Sequence, residues 1–215
     1  MSKFLKPVVL MLGLIVLSTG SLAQPARFVE GTHYETLDRP VRTVDPSKIE
    51  VVEVFWYGCT HCYSFEPLIE NWEESLPEDV VFVRSPGMWN AMMQIHAQVF
   101  FTAQELGLVE ETHNEIFDEI LLRGNLLNSE ASVRDFFMEK GASREAFDQA
   151  WNSFSVNSSV SRANTLMRDY GVRSTPNMIV NGKYRIVSNA AVPTQQDILE
   201  VVNYLVGVER NNMSM

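Results

Sequence analysis

Cysteine is almost missing from this chain: 215 residues carry two, Cys59 and Cys62, and histidine is held to four. That scarcity excludes a disulfide-stapled scaffold. It also leaves a structural zinc site short of ligands, because such a site takes about four at characteristic spacing and His33, His96 and His113 are scattered far from Cys59, His61 and Cys62. Positive charge is scarce as well, 17 Lys and Arg against 27 Asp and Glu, so nucleic acid and anionic membrane surfaces are not expected partners. Long apolar runs are lacking except for one, Val8 to Leu17, about half the ~20 residues a spanning helix needs. Lys3 and Lys6 precede that run and Ser21-Leu22-Ala23 follows it, the charged, apolar and small-residue succession of a secretory signal ending at Ala23. Removing residues 1–23 takes away two basic and no acidic residues, so 192 residues remain with 15 basic against 27 acidic, near −12. That length suits one globular domain or a domain with an insertion.

Proline is absent from Met88 through Tyr170, and there the spacing of Trp89, Met92, Met93, His96, Val99, Phe100 and Ala103, then of Ile116, Phe117, Ile120 and Leu121, predicts helices. Ser129 and Ser143 suit N-caps for helices over 132–140 and 144–154, and Gly107, Gly124, Gly141 and Gly171 suit helix stops. Before this block, Val51 to Tyr57 is dense in β-branched and aromatic residues and predicts a buried strand that ends at Gly58. Thr60 to about Leu76 predicts a helix kinked or interrupted near Glu66 by Pro67, and Val80 to Arg84 a second strand that Ser85-Pro86-Gly87 ends. After the block, Asn181-Gly182 between Asn177–Val180 and Lys183–Val187 predicts a hairpin. Pro193 to Asp197 opens a final helix with Ile198, Val201, Val202 and Leu205 on one face; Asn211 to Met215 reads as a disordered tail. The sum is an α/β sheet protein split by an all-helical insertion, with units at 1–23, 24–87, 88–170 and 171–215.

The two cysteines stand where the first strand gives way to a helix. A bridge between them closes a loop of about four residues, worth roughly 2 kcal/mol against roughly 3 for fifteen, so a staple is the weaker reading and a redox centre the stronger. Export would place the pair in an oxidising compartment. Cys59 at a helix N-terminus faces the positive end of the helix dipole and unpaired backbone N–H groups, both of which favour a thiolate.

Phe55-Trp56-Tyr57-Gly58-Cys59-Thr60-His61-Cys62-Tyr63-Ser64-Phe65-Glu66, Gly171-Val172-Arg173-Ser174-Thr175-Pro176 and Val180-Asn181-Gly182-Lys183-Tyr184 together resemble the DsbA family of periplasmic thiol:disulfide oxidases, over nearly all of the chain after residue 23. The resemblance implies a thioredoxin fold, with a central mixed β-sheet and an inserted helical domain. It implies a protein dithiol oxidase that donates a Cys59–Cys62 disulfide to exported proteins, with Cys59 attacked first and Cys62 as resolving partner. A stabilised Cys59 thiolate makes that disulfide more oxidising.

By the same likeness Pro176 is a cis-proline packed against the Cys59 sulfur, and Thr175 adds a hydroxyl there; Thr60, Thr175 and Pro176 contact substrate. His61 supplies a ring N–H or imidazolium to the thiolate. Glu53, a carboxylate in an apolar strand, exchanges protons with Cys62 and has a pKa raised by burial; Arg84 either balances it or lies on the surface. Met88, Met92, Met93, Met167 and Met178 read as core, except any that border a groove near Pro176. His33, His96 and His113 read as structural or surface residues. The implied partners are unfolded exported proteins with free cysteines and a quinone-linked membrane oxidase like DsbB. The protein would be a periplasmic monomer with no cofactor.

Thr60 and Thr175 depart from the proline and valine common at those places, and threonine before the cis-proline also occurs in isomerase relatives. A disulfide isomerase or reductase is therefore one rival, although residues 24–50 are too few for the dimerisation domain such bacterial proteins carry. The other rival is a chaperone that uses the same groove without turnover. Replacing His61 by alanine is expected to make the protein a weaker oxidant; an unchanged reduction potential in that variant counts against the role given to the ring.

Overall fold

The structure, a computed structural model, describes residues 27–214; the expected signal segment lies outside the described residues. Five strands, β1 (Tyr34–Thr36), β2 (Ile49–Phe55), β3 (Val80–Pro86), β4 (Asn177–Val180) and β5 (Tyr184–Ile186), form one mixed sheet in the order β1-β5-β4-β2-β3. β2 runs parallel to β3 and antiparallel to β4, and the β4, β5 and β1 pairings are antiparallel. Around the sheet lie α1 (Thr60–Glu74), α2 (Ala91–Leu106), α3 (Val109–Leu121), α4 (Glu130–Glu139), α5 (Arg144–Trp151), α6 (Phe154–Asp169) and α7 (Gln195–Met213).

β2 is buried at all seven positions, as a strand covered on both faces must be. Because side chains alternate across a strand, Ile49 and Val51 join a core with Phe65, Ile69 and Trp72 of α1 and Val201, Val202 and Leu205 of α7. Val52 and Val54 join Met167 at the end of α6 on the opposite face. Glu53 shares the parity of Val51 and therefore lies on the α1 side. A third core unites Phe55, Tyr57 and Cys62 with Phe100, Phe117, Phe137 and Phe147 from the helical block, so the inserted helices pack directly behind the strand-to-helix turn.

Several local expectations hold at the level of caps. Ser129 and Ser143 cap α4 and α5 by accepting backbone N–H groups, and Gly107 ends α2 with φ +70°. Other boundaries differ. α1 runs without a break from Thr60 to Glu74 across Pro67; Phe65 and Ile69 of α1 are fully buried on either side of the proline, and burying side chains of that size, worth ~1.5–3 kcal/mol each, outweighs the ~3 kcal/mol of an interior proline. β3 continues through Ser85 and Pro86, which an edge strand tolerates because one row of its backbone groups needs no ladder partner. Trp56 and Tyr57 leave the strand and form the turn. The expected disordered tail is instead helical to Met213, secured by the Arg210 fork on Asp79 at 2.6 and 2.9 Å. β1 had no counterpart in the sequence reading; it is three residues long and gains its order from pairing with β5.

The β4–β5 turn places Asn181 at φ +51° and Gly182 at φ +59°, the two left-handed residues that a type I′ hairpin requires. The Gly182 carbonyl accepts the Val41 N–H at 2.8 Å, and a Cβ on Gly182 would collide with the Val41 carbonyl. Gly182→Ala is expected to lower stability by at least about 1 kcal/mol, read from urea unfolding; an unchanged midpoint would contradict the packing of Val41 on the hairpin.

Candidate active site

Gly58 turns the chain from β2 into α1, and the Trp56 ring folds back over it so closely that any Cβ there would strike the indole. Cys59 is thereby the N-cap of α1, extended at φ −96° and ψ 110°, and its Sγ accepts the Cys62 N–H at 3.3 Å. An N-cap side chain normally supplies an oxygen to such an orphan donor; here sulfur takes that place. Cys59 is half-buried and Cys62, one turn on, fully buried, and both are free thiols.

The two sulfurs are driven apart in acidity. The Cys59 pKa falls to about 5, chiefly through hydrogen bonding from the Cys62 side chain, with help from the Thr175 side chain and the Cys62 and His61 backbone N–H groups and against the opposing effect of burial. Burial pushes the Cys62 thiol far upward, and its hydrogen bond to Cys59 adds to this. One residue is held as a thiolate at neutral pH while its partner keeps its proton.

The Thr175–Pro176 peptide is cis, and the Thr175 carbonyl oxygen lies 3.4 Å from Cys59 Sγ, an acceptor for that sulfur only while it carries its proton. Cys59, Cys62, Thr175 and Pro176 are thus brought together from two segments more than a hundred residues apart. Thr60 and His61 are exposed beside them. The His61 ring makes no hydrogen bond to Cys59; the residue acts there through its backbone. An open groove of about 600 Å³ beside the cis-proline is lined by His61, Thr175, Pro176, Val192, Pro193 and Gln195, among others. It contains no methionine. Met88, Met93, Met167 and Met178 are buried in the cores, as expected, and Met92 is half-buried.

Beneath the cysteines lies a buried set of charges. Glu53 is fully buried, neither carboxyl oxygen has a hydrogen-bond partner among the described residues, and burial followed by repulsion from Glu66 raises its pKa well above 4.5. Arg84, paired in register with Glu53, turns its guanidinium to Glu66 and Glu73, both at 3.1 Å. It is an interior balancing charge and not a surface arginine. Glu66 is almost as buried as Glu53, yet His113 at 3.2 Å and Arg84 hold its pKa below the ordinary value against the cost of burial. The His113 Nδ1 meets the Tyr57 hydroxyl at 2.9 Å. Of the two carboxyls, Glu66 takes the charge and Glu53 keeps the proton.

His113, Glu66 and Tyr57 were not among the site residues expected from sequence. The signal for His113 was its place at the head of the buried stripe His113, Ile116, Phe117, Ile120 of α3. His96 is buried too, accepting the Trp56 indole N–H at 2.9 Å and meeting the Leu126 carbonyl at 2.9 Å, which ties the redox turn to the insertion. Burial lowers its pKa. His33 is half-buried, its Nδ1 accepting the Val29 N–H at 3.1 Å and its ring edge-on to Phe28. No group of three or more potential metal ligands occurs among the described residues.

A reactive thiolate at the first turn of a helix, a protonated thiol behind it and a cis-proline loop beside it on a thioredoxin-type sheet define a thiol:disulfide oxidoreductase. The DSBA-like thioredoxin domain family model matches residues 69–200, a stretch that begins after the cysteines. The thiol:disulfide interchange protein DsbA of Pseudomonas aeruginosa is 39% identical over 192 residues, 89% of this chain and 90% of that protein. The same-named protein of Azotobacter vinelandii is 38% identical over 211 residues, 94% and 98% of the two chains. The crystal structure of Pseudomonas aeruginosa DsbA superposes with a TM-score of 0.83 at 37% identity, covering 87% of this chain and 97% of that one. The chain belongs to the DsbA family.

Glu53 contributes a pH dependence with a definite sign. A carboxyl whose folded pKa lies above its unfolded value costs the folded state stability as pH rises from the unfolded value through the folded one. Glu53→Gln removes that loss. In the oxidised protein, where neither thiol titrates, the stability of Glu53→Gln relative to wild type is expected to grow with pH above about 4.5, by up to about 1.4 kcal/mol per pH unit. Urea unfolding of both at pH 4 to 7 checks it, and parallel curves would contradict the assignment.

Proposed function

We propose that this family member works as an oxidase, passing its Cys59–Cys62 disulfide to exported proteins that carry free cysteines, in the periplasm and as a monomer. The observation that carries the reading is the divided acidity of the pair, Cys59 at about 5 and Cys62 far above the ordinary thiol. Whatever stabilises the reduced form makes the disulfide a stronger oxidant.

A substrate thiolate attacks Cys59 Sγ and breaks the Cys59–Cys62 bond. The electrons of that bond leave on Cys62, which requires a proton because its thiol is so weak an acid; neutral, buried Glu53 is the acid at hand. A second substrate thiolate then attacks the substrate sulfur of the mixed disulfide. Cys59 departs as a stable thiolate, and the substrate has lost two electrons to a protein now holding one thiolate and one thiol. Thr175 and Pro176 present the groove wall, Thr60 is exposed beside the cysteines for a substrate contact, and free backbone groups beside Pro176 suit an extended polypeptide. Cys62 closes the ring if Cys59 stays trapped. A quinone-linked membrane oxidase like DsbB would then withdraw the two electrons. Residues 1–23 would direct export, and 88–170 would be a helical domain inserted between 24–87 and 171–215.

Threonine before the cis-proline, which isomerase relatives also carry, keeps isomerase or reductase activity as the second reading. Expression in an oxidase-deficient bacterium separates the readings. Wild type is expected to restore disulfide-dependent motility, Cys59→Ser to fail, and Cys62→Ser to accumulate mixed disulfides with exported proteins. Motility restored by Cys59→Ser would point to the chaperone, and a disulfide harder to reduce than that of glutathione would point to the reductase.

A further inference from the structure

α7 starts at Gln195 behind a capping box in which the Thr194 side chain accepts the Asp197 N–H at 3.1 Å and Asp197 accepts the Thr194 N–H at 3.0 Å. The Gln195 side chain takes no part in that cap. It is half-buried and crosses to the first turn of α1, where its Nε2 donates to the His61 carbonyl at 2.6 Å and to Ser64 Oγ at 3.1 Å. Ser64 Oγ donates to the same carbonyl at 3.1 Å.

The His61 carbonyl and the Cys62 N–H belong to one peptide unit, planar and conjugated. On its far side that unit donates to Cys59 Sγ at 3.3 Å. A hydrogen bond accepted by a carbonyl draws electron density onto oxygen and leaves the N–H of the same amide a stronger donor; linked bonds polarise one another in this way. The final acceptor differs between the redox states. In the dithiol it is a thiolate, which gains from a stronger donor, and in the disulfide it is a neutral sulfur, which gains far less.

We propose that Gln195 is a positioning residue for the redox reaction: by donating to the His61 carbonyl it strengthens the Cys62 N–H toward the Cys59 thiolate and so favours the dithiol over the disulfide. The final helix, remote in sequence from the cysteines, thereby sets part of the oxidising strength. Gln195 also borders the groove with Thr175 and Pro176, so a role limited to touching substrate has to be told apart.

Gln195→Met keeps the length and removes the donor. The acid dissociation constant of Cys59, followed by thiolate absorbance against pH, is expected to fall about threefold, and the equilibrium with glutathione to move by a similar factor toward weaker oxidation. Ser64→Ala, which removes the second donor to the same carbonyl, is expected to shift both in the same direction by less; it carries the test alone if Gln195→Met does not fold. Unchanged titration and equilibrium in a folded variant, with slower oxidation of a peptide substrate only, would overturn the relay and leave a groove contact. The inference rests on Cys59 being the reactive thiolate, and the two failures are distinct: an ordinary Cys59 titration in wild type would sink that assignment, whereas a depressed one that both variants leave in place sinks only the role of Gln195.

Discussion

The Cys62 N–H pointing at Cys59 Sγ is the contact from which the chemistry of this protein is built. It exists because a strand buried on both faces ends at Phe55 and a short turn through Gly58 hands the chain to a helix, so that sulfur occupies the place of an N-cap oxygen. Unpaired N–H groups and the helix dipole then act on Cys59, while the same geometry drops Cys62 one turn deeper, into a core of aromatic rings. Two residues of one type acquire opposite acidities from a displacement of three positions. That asymmetry gives the disulfide a direction: one sulfur leaves readily and the other must be protonated.

The charges under the pair show the same logic at carboxyls. Glu53 and Glu66 are both interior, yet Glu66 lies between His113 and Arg84 while Glu53 faces no donor. Two like charges so close cannot both be supported in a medium of low dielectric constant. The network places the negative charge where Arg84 can balance it and leaves a neutral acid under Cys62. The helical insertion contributes His113 and, through His96, a hold on Trp56; it shapes the redox site as well as covering it.

Much of the fold could be read from residue order. The β-branched and aromatic density of Val51 to Phe55, the Asn181-Gly182 turn, the serine caps and the glycine stops are local signals, and each corresponds to a local energy that tertiary context did not overturn. The misreadings came where context prevailed. Pro67 is tolerated because α1 is held along its length by the core, Pro86 because β3 is an edge, and the α7 tail because Arg210 reaches Asp79. β1 is too short to carry a pattern of its own. At the site, Cys59 and Cys62 announced themselves by spacing. His113 did not, because a histidine on an apolar stripe has the same spacing whether it packs or pairs with a buried carboxylate.

Residue order by itself determined the class of chemistry: two cysteines at a strand-to-helix junction, in a chain with no other cysteine and a surplus of acid, leave little else for the pair to do. The tertiary structure decided the rest. It selected which carboxyl keeps its proton, turned Arg84 to Glu66, brought Thr175 against Cys59, and laid Gln195 on the peptide between the cysteines. Those outcomes depend on groups from distant segments meeting within a few ångströms, the carboxyls in a dry interior where electrostatic energies are large and vary steeply with position, and one-dimensional spacing carries no measure of that distance.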